Sequence, residues 1–394
     1  MIPIWQRSKS EVTDEQCAEW YKETSRDQND PAITVRVNAE GTVSYKAMLF
    51  VPEKDIDNAM SGTAKGGITL YSNGVMIQEK CDKLVHDYFE FVRGVVDSPD
   101  LSLNISREIL QHDRQLKVIG QNLEKKIKGE LEKLMREDRP KYEKVWNAHG
   151  IHIKCGVCDE YGRYTDFLKD LLIYYKGEDS CVSLKEYVDA MPESQKAIYY
   201  ATADSVKHAM NLPQCEEVRS RGYDILYLTH PIDETVLEQL RVYEGKPFLN
   251  IITEDLGFQT EEEKKAEEEK TVQNKELFDF MVESIEAEHL KQVTLTSKLV
   301  SSACCLTTTG GLTLEMEKYF RMGPSEEMRK LRAERVLELN GSHRAFAAIK
   351  SAYDAGDKDK AAALSKILYA QAELLAGVEV EDPTAFSELV CSLM

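Results

Sequence analysis

The stretch FVRGVVDSPDLSLNISREILQ, residues 91–111, decides how this chain is read. If Ser106 opens a helix, Arg107 and Gln111 stand four positions apart, share one face and can point at one ligand. An arginine presented in this way suits a terminal phosphate, which it grips with two donors. The same spacing fits an arginine paired with a carboxylate on a domain surface, and spacing alone does not separate the two. No GxxxxGK[ST] phosphate loop accompanies the stretch.

The bulk composition narrows the classes available. At 394 residues the chain has room for two or three domains with separate cores. A hydrophobic fraction of 42%, with 18 tyrosines and 11 phenylalanines, fits a folded globular protein. The net charge of −19 argues against nonspecific nucleic-acid binding, because phosphate repulsion would have to be overcome. No run approaches the roughly 20 apolar residues needed to cross a bilayer, and no signal peptide is visible at the start. Neither nucleic acid nor membrane is expected as a partner.

Nine cysteines invite a metal or disulfide reading, but only Cys155 and Cys158, in KCGVC, have ligand spacing. A structural zinc site needs four ligands, so this pair would have to recruit His149 and His152. A redox CxxC and a pair of ordinary reduced thiols are the other readings. The odd total and the adjacent Cys304–Cys305 fit a reducing cytoplasm, and no metal is expected.

Along the chain the pattern is α/β (α+β). Residues 32–37, 42–51 and 67–77 carry strand signals, and 82–92 has helical spacing with Leu84, Tyr88, Phe91 and Val92 on one side. Residues 114–146 form a charged helical stretch with one stripe of Leu116, Ile119, Leu123, Ile127, Leu131 and Leu134, broken near Pro140. A second α/β unit alternates strands at 197–200, 224–228 and 248–252 with helices at 205–210 and 234–239. The run EEEKKAEEEK, residues 261–270, offers only Ala266 to a core and reads as a charged linker or a solvated helix. These signals divide the chain into 1–258, a charged segment 259–275, and a mainly helical domain 276–394 with a small sheet. Within 1–258, lobes at about 1–112 and 150–258 are joined by a helical connector, 113–149.

The last forty or so residues read as two helices. Leu364, Ile367, Leu368, Ala372 and Leu375 make an apolar band on the first; Phe386, Leu389, Val390 and Leu393 make one on the second, with Pro383 at its start. Such a hairpin either folds back on the preceding domain or pairs with a second copy. Two further segments carry residues suited to contact. Trp5 lies in a short polar-flanked opening segment. In GLTLEMEKYFRM, residues 311–322, Leu312, Met316, Tyr319 and Phe320 fall on one face with Leu314 and Met322 nearby. Methionine and aromatics together suit an adaptable surface, and equally an ordinary core helix.

Several separated motifs in order resemble the Hsp90 chaperones, in their bacterial form, over almost the whole chain. They are IPIWQR (2–7), the strand-like 68–77, the stretch 91–111, QKAIYY (195–200), GYDILYLTHPIDETVLEQ (222–239), residues 298–304 and VLELNGSH (336–343). The resemblance implies two α/β lobes joined by helices in a middle domain, followed by a C-terminal dimerisation domain. It implies that the family's ATP-binding domain would precede Met1, so that the chain is expected to be a fragment or a naturally truncated protein. It implies that Arg107, with Gln111 and Asn104, assists ATP hydrolysis when that domain, holding ATP and Mg, is present; the chain alone is expected to bind no cofactor and to hydrolyse none. Trp5, Leu312, Met316, Tyr319, Phe320 and Met322 are implied to meet partly folded client proteins. Leu364, Ile367, Leu368, Leu375, Phe386, Leu389, Val390 and Leu393 are implied to form a homodimer through the C-terminal helices.

Two departures qualify the resemblance: Cys155 and Cys158 are not a family feature, and where the family usually has a basic residue in the strand, this chain reads Tyr71-Ser72-Asn73-Gly74-Val75-Met76-Ile77. The acidic Met-Glu-Glu-Val-Asp tail of eukaryotic members is absent after Leu393–Met394. The alternatives are an ATP-independent dimeric scaffold, or a self-contained enzyme using the CxxC pair or clustered acids.

Overall fold

The computed structural model describes residues 2–8, 10–55, 67–101, 114–321 and 325–392, without the side chain of Tyr319. It is a mixed α/β fold of two compact units, Met1–Ile173 and Tyr174–Met394.

In the first unit the alternating β-prone residues form a five-stranded sheet, β1 (Ile33–Ala39), β2 (Tyr45–Val51), β3 (Ile68–Ser72), β4 (Val75–Gln78) and β5 (Arg93–Asp97), in the order β1-β2-β5-β3-β4. Only the β3–β5 pairing is parallel. The β3–β4 hairpin turns on Asn73 and Gly74, both at positive φ (49° and 77°), the Asn-Gly chemistry that a tight two-residue hairpin requires. The helix Asp14–Ser25 is closed at its start by a Thr13–Gln16 capping box. It buries Cys17 and Tyr21 against Met48, Phe50 and Val95.

The helix Arg114–Glu137 buries Leu116, Ile119, Leu123, Ile127 and Leu131, the expected stripe. Its last turn buries Met135 in place of Leu134. Asp138 then caps the helix Arg139–Cys158 through the Lys141 N–H, and Pro140 sits in the first turn, where a missing N–H costs nothing.

Residues 82–92 depart from the sequence reading. They form a turn and one short 3-10 segment, Asp87–Phe89, not an α-helix. The Glu124 carboxylate takes both the backbone N–H (2.8 Å) and Nδ1 (2.6 Å) of His86, fixing that residue in extended backbone where a helix would need it coiled. Leu84, Tyr88, Phe91 and Val92 are all buried, so the apolar spacing was real but served an irregular segment.

In the second unit a six-stranded sheet has the order β10-β11-β8-β9-β6-β7, formed by β6 (Ile173–Gly177), β7 (Ser180–Ser183), β8 (Ile198–Thr202), β9 (Ile225–Leu228), β10 (Val242–Tyr243) and β11 (Lys246–Asn250). The central β11–β8–β9 pairings are parallel and carry the crossover helices Val206–Met210, Cys215–Ser220 and Asp233–Leu240. The acidic run is a helix, Glu261–Gln273, with a Thr260–Glu263 capping box and no buried residue.

Beyond it, β12 (Leu290–Leu295), β14 (Glu334–Leu339) and β13 (Cys304–Thr309) form a three-stranded sheet in that order. The helices Lys275–Ile285, Arg344–Asp354 and Lys358–Leu375 cover it, with Leu277, Met281, Leu306, Leu337, Ile349 and Leu368 in the core. The helices Leu314–Arg321 and Pro383–Ser392 complete the main elements. Among the described residues no helix is long and apolar enough to cross a membrane.

Gly94 is the tightest point of the first sheet. At φ +132° a Cβ would lie 2.1 Å from the Met48 carbonyl oxygen and 2.9 Å from Leu49 Cα. Gly94→Ala is expected to cost about 3 kcal/mol or more, because neither backbone atom can move without breaking the β2–β5 ladder. Urea denaturation checks this; an unchanged midpoint refutes the packing argument.

Candidate functional site

The chain approaching Arg107 is held rigidly, although Asn104, Arg107 and Gln111 themselves lie outside the described residues. Asp97 closes β5 and is buried. Its Oδ2 accepts the Trp5 indole N–H (3.2 Å) and the Gln6 side-chain amide (2.6 Å), and its Oδ1 accepts the Gly74 N–H (3.2 Å). The Ser98 hydroxyl donates to the Ser44 carbonyl (2.7 Å), the Ser44 N–H to Asp100 Oδ2 (2.6 Å), and the Ser72 hydroxyl to the Leu101 carbonyl (2.6 Å). The described chain is therefore held by side-chain hydrogen bonds as far as Leu101.

Trp5 is half-buried, its ring 4.9 Å from Tyr71 and 5.9 Å from Trp20. Its indole nitrogen is engaged inside the unit, so only part of the ring is presented outward.

The cysteine pair has lost its other candidate ligands. His149 is buried, stacks on Phe91 at 4.4 Å and hydrogen-bonds through Nε2 to the Pro52 carbonyl at 3.1 Å. Burial pulls its imidazole down to about 4, so it is a neutral donor. His152 Nδ1 lies 3.0 Å from the Glu90 carboxylate. Burial raises both thiols, Cys158 to about 11, which leaves little of the thiolate that redox chemistry needs.

In the second unit the helix Leu314–Arg321 buries Leu314 and leaves Leu312, Met316 and Phe320 half-buried in and beside it; the Tyr319 side chain and Met322 lie outside the described residues. Met316 and the Gly310–Gly311 turn line an open cleft of about 610 Å³, opposite Tyr200, Glu234, Glu238, Arg241, Phe248 and Glu254. Glu234 is buried and accepts from the Thr202 hydroxyl (3.0 Å) and the Asn250 amide (3.1 Å); burial raises its carboxyl.

Another side of the helix Leu314–Arg321 is anchored. Glu317, 3% exposed, takes Arg321 at 2.9 Å and the Ala333 N–H at 2.9 Å, with Arg335 at 3.5 Å. Arg335 reaches on to Glu373 at 2.8 Å, which ties this helix to the helix Lys358–Leu375.

The proposed assembly residues divide. Leu368 and Ala372 are buried in the chain's own core, with Leu364 against it, and Ile367 is half-buried. Leu375 is exposed, and Phe386, Leu389 and Val390 on the terminal helix are half-exposed with no residue of that helix buried; Leu393 lies outside the described residues. A groove of about 760 Å³ runs along Phe386 and Leu389.

Glu216 was invisible to the sequence reading because its partners lie 84 to 86 positions away. Its Oε2 accepts the N–H groups of Val300 (2.7 Å), Ser301 (2.8 Å) and Ser302 (3.2 Å), and its Oε1 both serine hydroxyls (2.7 Å each). Burial opposes ionisation, but these donors prevail and hold the carboxyl down at about 2.

Together these features define a mixed α/β protein with an open cleft beside Met316 and a terminal helix that buries none of its residues. A family model described as Hsp90 protein matches residues 1–394. Similar relatives are the chaperone protein HtpG of Bacillus subtilis (strain 168), 44% identical, of Oceanobacillus iheyensis, 43%, and of Alkaliphilus oremlandii, 42%, each over 395 residues. Each comparison covers 100% of this chain and 62% of the relative, so the chain spans less than two thirds of the length of these proteins. The chain belongs to the Hsp90 family.

Because the Glu216 carboxyl is depressed by folding, its stabilisation is present above its unfolded value near 4.5 and is lost as pH falls through about 2. Glu216→Gln is expected to lower the urea midpoint at pH 7, with the gap to the unaltered chain closing as acid is added. A gap that stays constant through that range would exclude the ionised carboxylate as its cause.

Proposed function

We propose that this chain is the middle and carboxy-terminal portion of an ATP-dependent molecular chaperone that binds partly folded client proteins and dimerises. The observation that carries this reading is the cleft beside Met316. An unbranched thioether and the Phe248 ring give apolar contact without demanding one shape, while Glu238 and Glu254 suit the cations of an extended chain. A surface of this kind tolerates many sequences, as a client site must. Leu312, Phe320, Tyr319, Met322 and the exposed part of Trp5 would extend it.

Arg107 would donate two N–H groups to a terminal phosphate carried by a separate nucleotide domain, stabilising charge in the transition state. Gln111 and Asn104 would shape the loop, and the Asp97 platform would fix where it begins. ATP with Mg would supply the phosphoryl group, held by that separate domain. The described residues contain no cluster of three or more His, Cys, Asp or Glu suited to a metal ion. Assembly would use Leu375, Phe386, Leu389, Val390 and Leu393 as the direct contact, with Leu364, Ile367 and Leu368 supporting the helix from its own core. A cytoplasmic setting agrees with the free cysteines.

Light scattering should give this chain a mass near twice 44.8 kDa, falling to one copy after deletion of residues 380–394. A monomer at all concentrations would sink the assembly claim. In the whole protein, Arg107→Ala should lower kcat for ATP hydrolysis by about a hundredfold with nucleotide affinity preserved. An unchanged kcat would remove the arginine's role, and a whole protein with no ATP turnover would favour a dimeric scaffold.

A further inference from the structure

The helix Lys358–Leu375 ends in a Schellman motif around Gly377, at φ +65°. The Val378 N–H bonds the Glu373 carbonyl (2.8 Å) and the Gly377 N–H the Leu374 carbonyl (3.1 Å). Two carbonyls of the last turn, Leu375 and Ala376, are left for other donors. Both are met by side chains from other elements. His208 Nε2, from the helix Val206–Met210, lies 2.8 Å from the Leu375 oxygen, and Lys318 Nζ donates to the Ala376 oxygen at 3.2 Å. Gly377 makes room for them: a Cβ there would lie 2.3 Å from His208 Cε1 and 3.1 Å from Lys318 Nζ.

The other ring nitrogen faces an acceptor as well. His208 Nδ1 lies 2.8 Å from Asp204 Oδ1. Burial alone would raise the Asp204 carboxyl. The His208 hydrogen bond and the charges of His208 and Lys318 outweigh it and hold the carboxyl below its usual range. At neutral pH, therefore, neither the carboxylate nor the Leu375 carbonyl has a proton to give. Two such acceptors at hydrogen-bond distance require an N–H on both ring nitrogens, which only the imidazolium carries. The charged groups facing the ring are Asp204 on its own segment and Lys318, itself paired with Glu315 at 2.7 Å, on the helix Leu314–Arg321. The ring also faces the negative end of the helix Lys358–Leu375.

We propose that His208 is a protonation-gated latch on the end of the helix Lys358–Leu375. The imidazolium bridges Asp204 to the Leu375 carbonyl. On losing a proton the ring keeps one N–H, and a bare nitrogen then faces an oxygen lone pair, so one bridge opens. The latch joins the α/β lobe to the segment leading into the terminal helix. Its consequence for pairing of copies rests on the assembly reading above, whereas the latch itself does not.

The test is backbone hydrogen exchange at Ala376, Gly377 and Val378 in the present chain, corrected for the intrinsic pH dependence of exchange. Between about pH 5.5 and pH 8.5, protection there should fall by about tenfold, the scale of one hydrogen bond. His208→Ala should show the low value at both pH values. Asp204→Asn is the decisive variant. Its amide can donate to a bare Nδ1 and leave Nε2–H for the Leu375 carbonyl, so protection should stay high at both. Protection that does not change with pH in the unaltered chain, or an Asp204→Asn chain that loses protection as the unaltered one does, overturns the proposal. Ring ¹⁵N shifts showing a neutral His208 at the acid end would do the same.

Discussion

The carboxylate of Glu216, wrapped by three backbone N–H groups and two serine hydroxyls of residues 300–302, is the contact on which the second unit depends. It fastens the helix Cys215–Ser220 to the chain just ahead of β13. Beside it, the Gln214 side-chain amide donates to the Leu306 carbonyl at 3.1 Å. The Met316 cleft is formed by elements on both sides of this joint. An ionised acid with so many donors is strong because folding has already ordered the groups that meet it, and because the charge-assisted bonds replace those lost from water.

The same device recurs wherever distant segments must meet. Asp97 gathers Trp5, Gln6 and Gly74 at the end of β5. Glu317 and Glu373 share Arg335 between two helices and β14. Each is a buried ionisable side chain, a placement that costs desolvation and is tolerated only where hydrogen-bond or ion-pair partners converge. Two also stand near proposed working residues: Asp97 lies ten positions before Arg107 in sequence, and Glu317 follows Met316 on one helix. Rigidity behind a surface and adaptability on it are complementary, since a half-buried methionine can change rotamer while its helix stays fixed.

Much of the fold was legible because burial leaves a period in the sequence. The stripe of Leu116, Ile119, Leu123, Ile127 and Leu131 and the solvated character of the acidic run follow from local patterning, whereas residues 67–77, read as one strand segment, fold into the β3–β4 hairpin at Asn73-Gly74. Residues 82–92 misled for the same reason. Their apolar spacing matched a helix, but the hydrogen bonds from His86 to Glu124, 38 positions away, hold the backbone extended. Strand β12, residues Leu290–Leu295, was not foreseen. Its burial alternates poorly, and its pairing with β14 carries a register shift between Leu290 and Gln292.

By itself the sequence determined the α/β class, the order of most elements, and the motifs that mark the Hsp90 family. These are written in local propensity and in residues close along the chain. Tertiary structure alone decided that His149 serves the Pro52 carbonyl and not a cysteine pair, and that Leu368 belongs to its own core. It alone decided that Glu216, His208 and Arg335 act at joints. Those roles depend on partners up to 167 positions away, brought together only by folding, and no periodicity along the chain records which distant donor will meet which acceptor.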